Sequence, residues 1–284
     1  MYTCFSTSST FDSDQFQVNA IATYSHTMTM PKPTIVLVHG AWHSPEHFKP
    51  LIEVLESHNY KTAAVSCPSS SPTATATPAT FEDDCSAIRS VVLRELESAD
   101  VLVVCHSYGG VPGSNALQGL SPPARAASND TTSVTGIAYM CAAVLPAGIT
   151  FLQAIGGQPL QIHDLSVHEG FARVGEPGPK YYFYNDLPGD EAKHWASLLR
   201  LHSWKTATDG FVEYEAYAEI PAHYLYCTLD QALELEAQKG MVAQAEARSG
   251  RAFRTEEVES SHSPFLSMPG RTAEFVRRSA GEEV

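Results

Sequence analysis

The ten residues Val101–Gly110, Val-Leu-Val-Val-Cys-His-Ser-Tyr-Gly-Gly, constrain this chain more than any other stretch. An unbroken β-branched, apolar run of this length reads as a parallel strand buried on both faces, because a half-exposed strand would alternate with polar residues. The run stops at Ser107, with Tyr108, Gly109 and Gly110 behind it. That is the strand–turn–helix context of a nucleophile elbow, in which a sharp turn holds the serine in strained backbone geometry. Sterically, the residues two before and two after the serine must be small. Here they are Cys105 and Gly109, so the usual G-x-S-x-G becomes C-x-S-x-G and still respects its physical reason.

The remaining elements alternate around that strand. Thr34–Val38 is a second buried strand, followed by His39-Gly40-Ala41-Trp42-His43. Ser44 as N-cap and Pro45 at the first helical position open a helix whose Phe48, Leu51, Ile52 and Leu55 share one face. Lys61–Val65 forms a shorter strand, Ser66–Thr80 a Ser/Pro/Thr/Ala loop, and Thr80 caps a helix over Phe81–Ser98. Leu120–Thr132 reads as a surface loop and Val134–Met140 as the next strand. This β-α order predicts an α/β fold with a doubly wound, mostly parallel sheet, whose sites lie at the carboxyl ends of its strands.

Alternation breaks from Leu145 to Glu219, which carries the cluster Tyr181-Tyr182-Phe183-Tyr184, a helix-like run Asp190–Leu201 with Trp195, and Trp204. We read residues 145–219 as an inserted, mainly helical lid between two parts of one core, 32–144 and 220–284. The core resumes at His223–Cys227, continues with a helix over Leu233–Ala247 and a strand at Ala252–Val258, and ends in a helix after Pro269. Residues 1–31 form a flexible N-terminal extension in which Gln17–Tyr24 could add a strand and Met28 or Met30 could be the start.

A serine needs a base to take its proton, and the base needs a carboxylate to fix its tautomer. Ser107, Asp230 and His262 each follow a strand, in the chain order Ser, Asp, His. The first gap has room for one more strand and the insertion, the second for one helix and one strand. Acyl transfer also needs donors for a developing oxyanion, for which the backbone N–H groups of Ala41 and Tyr108 are the candidates. Gly40, Trp42, Tyr184 and Trp195 are the candidates for substrate contact.

Thr34–Gly110 and Tyr224–Pro264 resemble α/β-hydrolases of the plant methylesterase and hydroxynitrile-lyase group. The words Tyr184-Asn185-Asp186-Leu187-Pro188 and the later Trp resemble those of fungal and bacterial members. The similarity leaves out residues 1–31. It implies the triad Ser107–Asp230–His262 with oxyanion donors at Ala41 and Tyr108. Lyases of the group carry a Thr after the first-strand His and a Lys directly after the catalytic His. Gly40 and Ser263 stand there in this chain, which implies an esterase rather than a cyanohydrin lyase.

A net charge of −14 argues against nucleic acid and anionic membranes as partners, since both need basic patches. No run reaches the apolar length of a membrane span. The first 31 residues hold no Lys or Arg and no apolar block, so a cytoplasmic location is expected. The scattered cysteines lack a C-x-x-C pair, and Cys105, Cys141 and Cys227 read as small core residues. His39, His43 and His47 cannot share a helix face across Gly40, so no metal site is expected. His106 reads as a turn residue; His163, His168, His194 and His202 could be solvated or touch substrate. Absence of G-x-G-x-x-G and of a P-loop leaves no nucleotide cofactor implied. The expected function is hydrolysis of a carboxylic ester or lactone of a small, largely apolar molecule, in a chain that could be a homodimer. Carbon–carbon cleavage or cyclisation with His262 as base, and a ligand receptor on the same scaffold, stay open.

Overall fold

The computed structural model describes residues 31–71 and 77–284, together with Met1 and Thr3. The expectations for the N-terminal extension therefore lie outside the described residues. The strands are β1 (Thr34–Val38), β2 (Thr62–Val65), β3 (Ser70–Ser71), β4 (Val101–His106), β5 (Val134–Met140), β6 (His163–His168), β7 (Phe171–Val174), β8 (Leu201–Ser203), β9 (Ala222–Cys227) and β10 (Arg254–Val258). The helices are α1 (Lys49–Ser57), α2 (Phe81–Leu96), α3 (Gly110–Asn115), α4 (Pro122–Ala127), α5 (Phe151–Ala154), α6 (Pro179–Tyr182), α7 (Gly189–Ser197), α8 (Lys205–Thr208), α9 (Leu235–Ser249), α10 (Pro264–Ser267) and α11 (Pro269–Ser279).

Six strands form the main sheet in the order β10-β9-β5-β4-β1-β2, every pair parallel. Side chains along a strand alternate between faces. Ile35, Leu37, Leu102 and Val104 accordingly pack with α1 and α11 through Leu51, Leu55, Phe275 and Val276. Val36, Val38, Val103 and Cys105 pack on the other face with α2 and α9 through Ile88, Val92, Val242 and Ala245. This two-sided burial explains why Ile35–Val38 of β1 and Val101–Cys105 of β4 are apolar at every position. Thr80 caps α2 by accepting the Asp83 N–H at 3.2 Å while Asp83 Oδ2 accepts the Thr80 N–H at 2.7 Å. Such a cap stabilises a helix by about 1 kcal/mol.

The chain steps outward from β1 to β2 and then returns to the other side of β1 with β4. The order thus reverses between β1 and β4, and the loops leaving these strands part to open a crevice at their carboxyl ends. Register sets those ends level, Val38 opposite Cys105. The loop after β1 and the turn after β4 therefore lie side by side.

Three local expectations need correction. The stretch Leu120–Thr132 contains α4, because Ser121 precedes Pro122 at the first helical position and proline presets the helical φ there. Ser66–Thr80 contains β3, which pairs antiparallel with β8. Between Leu145 and Glu219 the helices are accompanied by a second, antiparallel sheet, β3-β8-β7-β6. Its β8 begins at Leu201, which the helical periodicity had placed in the helix that ends at Ser197.

Candidate active site

Ser107 leaves β4 with φ +54°, in the left-handed region where a residue with a Cβ is strained. Its carbonyl accepts the Ala143 N–H at 3.0 Å, which helps hold the turn. Close packing around the turn depends on glycine. A Cβ on Gly40 would lie 2.6 Å from Ser107 Cβ, and one on Gly109 would lie 2.6 Å from the His39 carbonyl oxygen. The cysteine that replaces the first glycine of the motif is accommodated from α3, where a Cβ on Gly113 would overlap Cys105 Sγ. Gly113 thus supplies, four residues past the motif glycine Gly109, the space that the motif lacks at position 105.

Asp230 and His262 follow β9 and β10 and are both buried. Asp230 Oδ2 accepts a hydrogen bond from His262 Nδ1 at 2.7 Å. The other carboxylate oxygen accepts the N–H groups of Ala232 at 2.8 Å and Leu233 at 2.9 Å. Gln238 of α9, fully buried, donates to Asp230 Oδ2 at 3.3 Å and brackets Cys227 through its N–H and carbonyl. With its proton on Nδ1, the neutral ring leaves Nε2 free to accept one. Among the described residues Ser107 Oγ makes no hydrogen bond to His262.

The neighbouring histidines act as backbone splints. His106, expected in the turn, is the last residue of β4, and its Nε2 donates to the His262 carbonyl at 2.9 Å. His39 Nε2 accepts the Cys67 N–H at 3.2 Å and its Nδ1 donates to the Gly40 carbonyl at 2.9 Å. His43 Nδ1 donates to the Ala41 carbonyl at 2.9 Å while its Nε2 accepts Tyr184 Oη at 3.2 Å. Burial lowers the pKa of His39 to about 4 and takes His43 and His106 well below the usual range, so these rings are neutral at neutral pH. Ligating atoms of His106, Cys141 and His262 do come within 4.8 Å of one another. His262 Nδ1 is committed to Asp230, however, and burial pushes the Cys141 thiol well above its usual range, away from the thiolate a metal needs.

Ser107, Ala41, Trp42 and Tyr108 line a cavity of about 320 Å³, whose far walls include Phe151, Phe183 and Trp204. No Asp, Glu, Lys or Arg is among the described residues that line it. His163 and His202 do line it, and burial lowers them to about 4 and about 3. The described lining is therefore uncharged near neutral pH. Trp42, at φ +62°, is held by its indole N–H donating to the Ala172 carbonyl at 3.0 Å. The Tyr108 hydroxyl donates to buried Asp84 at 2.9 Å.

Of the candidates for substrate contact, only Trp42 lines the cavity. Gly40 lies behind Ser107 and gives clearance to the turn. Tyr184 is fully buried, with its hydroxyl on His43. Trp195 packs on the His47 ring, centroids 5.9 Å apart, away from the cavity. In the run Tyr181–Tyr184, Phe183 is the one that lines the cavity. His168 is exposed, and the helix α7 that carries His194 stays outside the cavity wall. Gln238 was not anticipated; a lone polar residue on a helix of weak periodicity gives little signal. The five described cysteines are buried and free. No described helix is long and apolar enough to cross a membrane.

A model of the alpha/beta hydrolase family matches residues 35–275, and the chain belongs to that family. The alpha/beta hydrolase nvfD of Aspergillus novofumigatus is 30% identical over 263 residues, covering 90% of this chain and 99% of the relative. A probable hydrolase, R7, of a Phoma species is 25% identical over 253 residues, covering 89% and 100%. Among solved structures, polyneuridine aldehyde esterase aligns with a TM-score of 0.65 at 19% identity, covering 88% of this chain and 100% of the other. A pyrethroid hydrolase of Sphingobium faniae aligns with a TM-score of 0.67 at 19% identity, covering 88% and 97%. These structural likenesses establish the fold.

Proposed function

We propose that the protein is a serine hydrolase that cleaves a neutral, largely apolar carboxylic ester or lactone through an acyl-enzyme on Ser107. The observation that carries this reading is the position of a strained serine in the wall of an uncharged cavity, with a buried Asp230–His262 pair after two strands of the same sheet. Relatives that bear the names esterase and pyrethroid hydrolase support it.

On this reading Ser107 Oγ attacks the carbonyl carbon as its proton passes to His262 Nε2. The N–H groups of Ala41 and Tyr108 hold the oxyanion, in a loop splinted by His39 and His43 and a turn tied to Asp84. Collapse of the tetrahedral species breaks the C–O bond, and the imidazolium gives its proton to the leaving alkoxide. A water deprotonated by His262 then attacks the acyl carbon, and the acid leaves as Ser107 recovers its proton. Asp230 keeps Nδ1 protonated throughout and stabilises the imidazolium. Segment 145–219 serves as the lid, supplying Phe151, Phe183 and Trp204 to the cavity wall.

Intact mass after incubation with a fluorophosphonate tests this directly. A single adduct on wild type, absent from a folded Ser107→Ala variant, is the expected result. A folded wild type that takes no adduct and hydrolyses no ester in a panel of p-nitrophenyl acyl esters would overturn it.

A further inference from the structure

Four consecutive residues of the insertion, Phe183–Asp186, reach all three loops of the site. The Tyr184 hydroxyl donates to His43 Nε2 at 3.2 Å, and His43 Nδ1 donates to the carbonyl of Ala41. Asn185 Nδ2 donates to the carbonyl of Leu229, the residue before Asp230, at 2.9 Å. Asp186 Oδ2 accepts the N–H of Ser261, the residue before His262, at 2.9 Å. Ser261 Oγ in turn donates to the Phe183 carbonyl at 2.8 Å, and the Phe183 ring lies over the His262 ring, centroids 5.5 Å apart and planes 31° apart.

We propose that Phe183–Asp186 is a positioning hub that sets the loops of Asp230, His262 and Ala41 against one another, so that the insertion assembles the machinery as well as covering the substrate. The inference rests on the serine-hydrolase reading. Its physical basis is that the loops after β9 and β10 carry their reactive residues beyond the sheet ladder, where strand pairing no longer fixes them. The two loops touch each other through the Thr228 N–H to the Val258 carbonyl and the Leu229 N–H to the Ser260 carbonyl, both at 3.0 Å. Neither bond fixes both loops relative to the loop of Ala41. Asn185 and Asp186 hold one backbone group immediately before each member of the acid–base pair, and Tyr184 ties the same segment to the third loop. Movement of the segment by a hydrogen-bond length would displace all three together.

The test uses the full chain and two variants at one position. Asp186→Asn keeps an acceptor for the Ser261 N–H, whereas Asp186→Ala removes it. The rate of fluorophosphonate labelling and the downfield proton resonance of the His262–Asp230 hydrogen bond are read for both. Misplacing a reacting group by about 1 Å lowers rates on the order of 100-fold. Asp186→Ala should therefore label about 100-fold more slowly with a shifted or broadened resonance, and Asp186→Asn should stay within about 3-fold of wild type with the resonance in place. Wild-type labelling and an unchanged resonance in Asp186→Ala would overturn the proposal, as would equal losses in the two variants. If Asp186→Ala does not fold, Asn185→Ala is read in its place, with a loss of roughly 10-fold expected and none overturning the idea. Should wild type itself fail to label, the hydrolase reading falls while the resonance still decides whether the segment positions the pair.

Discussion

The exchange of space between positions 105 and 113 gives a prediction whose size follows from the structure. In Gly113→Ala the new methyl group meets Cys105 Sγ, and Cys105 is fully buried between sheet and helices. Overpacking of a dense core costs about 1–3 kcal/mol, while alanine in a helix interior gains up to about 1 kcal/mol over glycine. The single variant should therefore be less stable by about 1 kcal/mol. Cys105→Ala removes the sulfur and should lose about 1 kcal/mol of packing on its own. In that background Gly113→Ala fills vacated space and keeps its helical gain, so it should stabilise by about 1 kcal/mol. The coupling between the two positions is then about 2 kcal/mol, far above the few tenths expected of independent sites. Thermal midpoints followed by circular dichroism would report it as roughly 4–8 °C of non-additivity for a chain of this size. If Gly113→Ala shifts the midpoint equally with and without the sulfur, glycine 113 does not make room for cysteine 105 and the account of the altered motif is wrong.

Two further outcomes follow. Asp230→Asn should lower ester turnover by three to four orders of magnitude with an unchanged far-ultraviolet spectrum, because His262 loses the partner that fixes its tautomer; loss of less than about tenfold would contradict the role of the pair. Burial raises the Asp84 carboxyl from 3.8 to about 6, so between these values the folded chain binds more protons than the unfolded one. Its contribution is present in full below 3.8 and is lost as pH rises through 6, on the order of 3 kcal/mol at about 1.4 kcal/mol per unit. Urea unfolding should show wild type losing this stability relative to Asp84→Asn between pH 4 and 6. Parallel curves would contradict it.

Much of the sheet was legible because parallel strands buried on both faces have a signature that few other structures share. Thr34–Val38 and Val134–Met140 emerge with the boundaries expected, and the ends of β4, β9 and β10 carry Ser107, Asp230 and His262 in the expected order. The second sheet was not legible. β6, His-Asp-Leu-Ser-Val-His, is polar and partly exposed, and β8 has three residues whose β3 partner lies far away in sequence. Nor does sequence distinguish an aromatic ring that faces a cavity from one that fills a core. Tyr184 and Trp195 belong to the core or its rim, and only the path of the chain after α6 turns Phe183 inward. His39 and His43 were visible as residues, but their work of orienting backbone carbonyls depends on contacts with Cys67 and Tyr184 that no spacing encodes.

The uncharged cavity carries a consequence for the end of the proposed reaction. A neutral ester enters without leaving any ionic hydration behind, whereas hydrolysis creates a carboxylate in a chamber whose described lining holds no cation to receive it. An unpaired carboxylate is unstable in such surroundings. The reaction would thus eject its own acid, and the step that breaks the ester would also empty the chamber. Inhibition by product should then be weak near neutral pH and strengthen in acid, where the product is protonated and again resembles the molecule the cavity was shaped to admit.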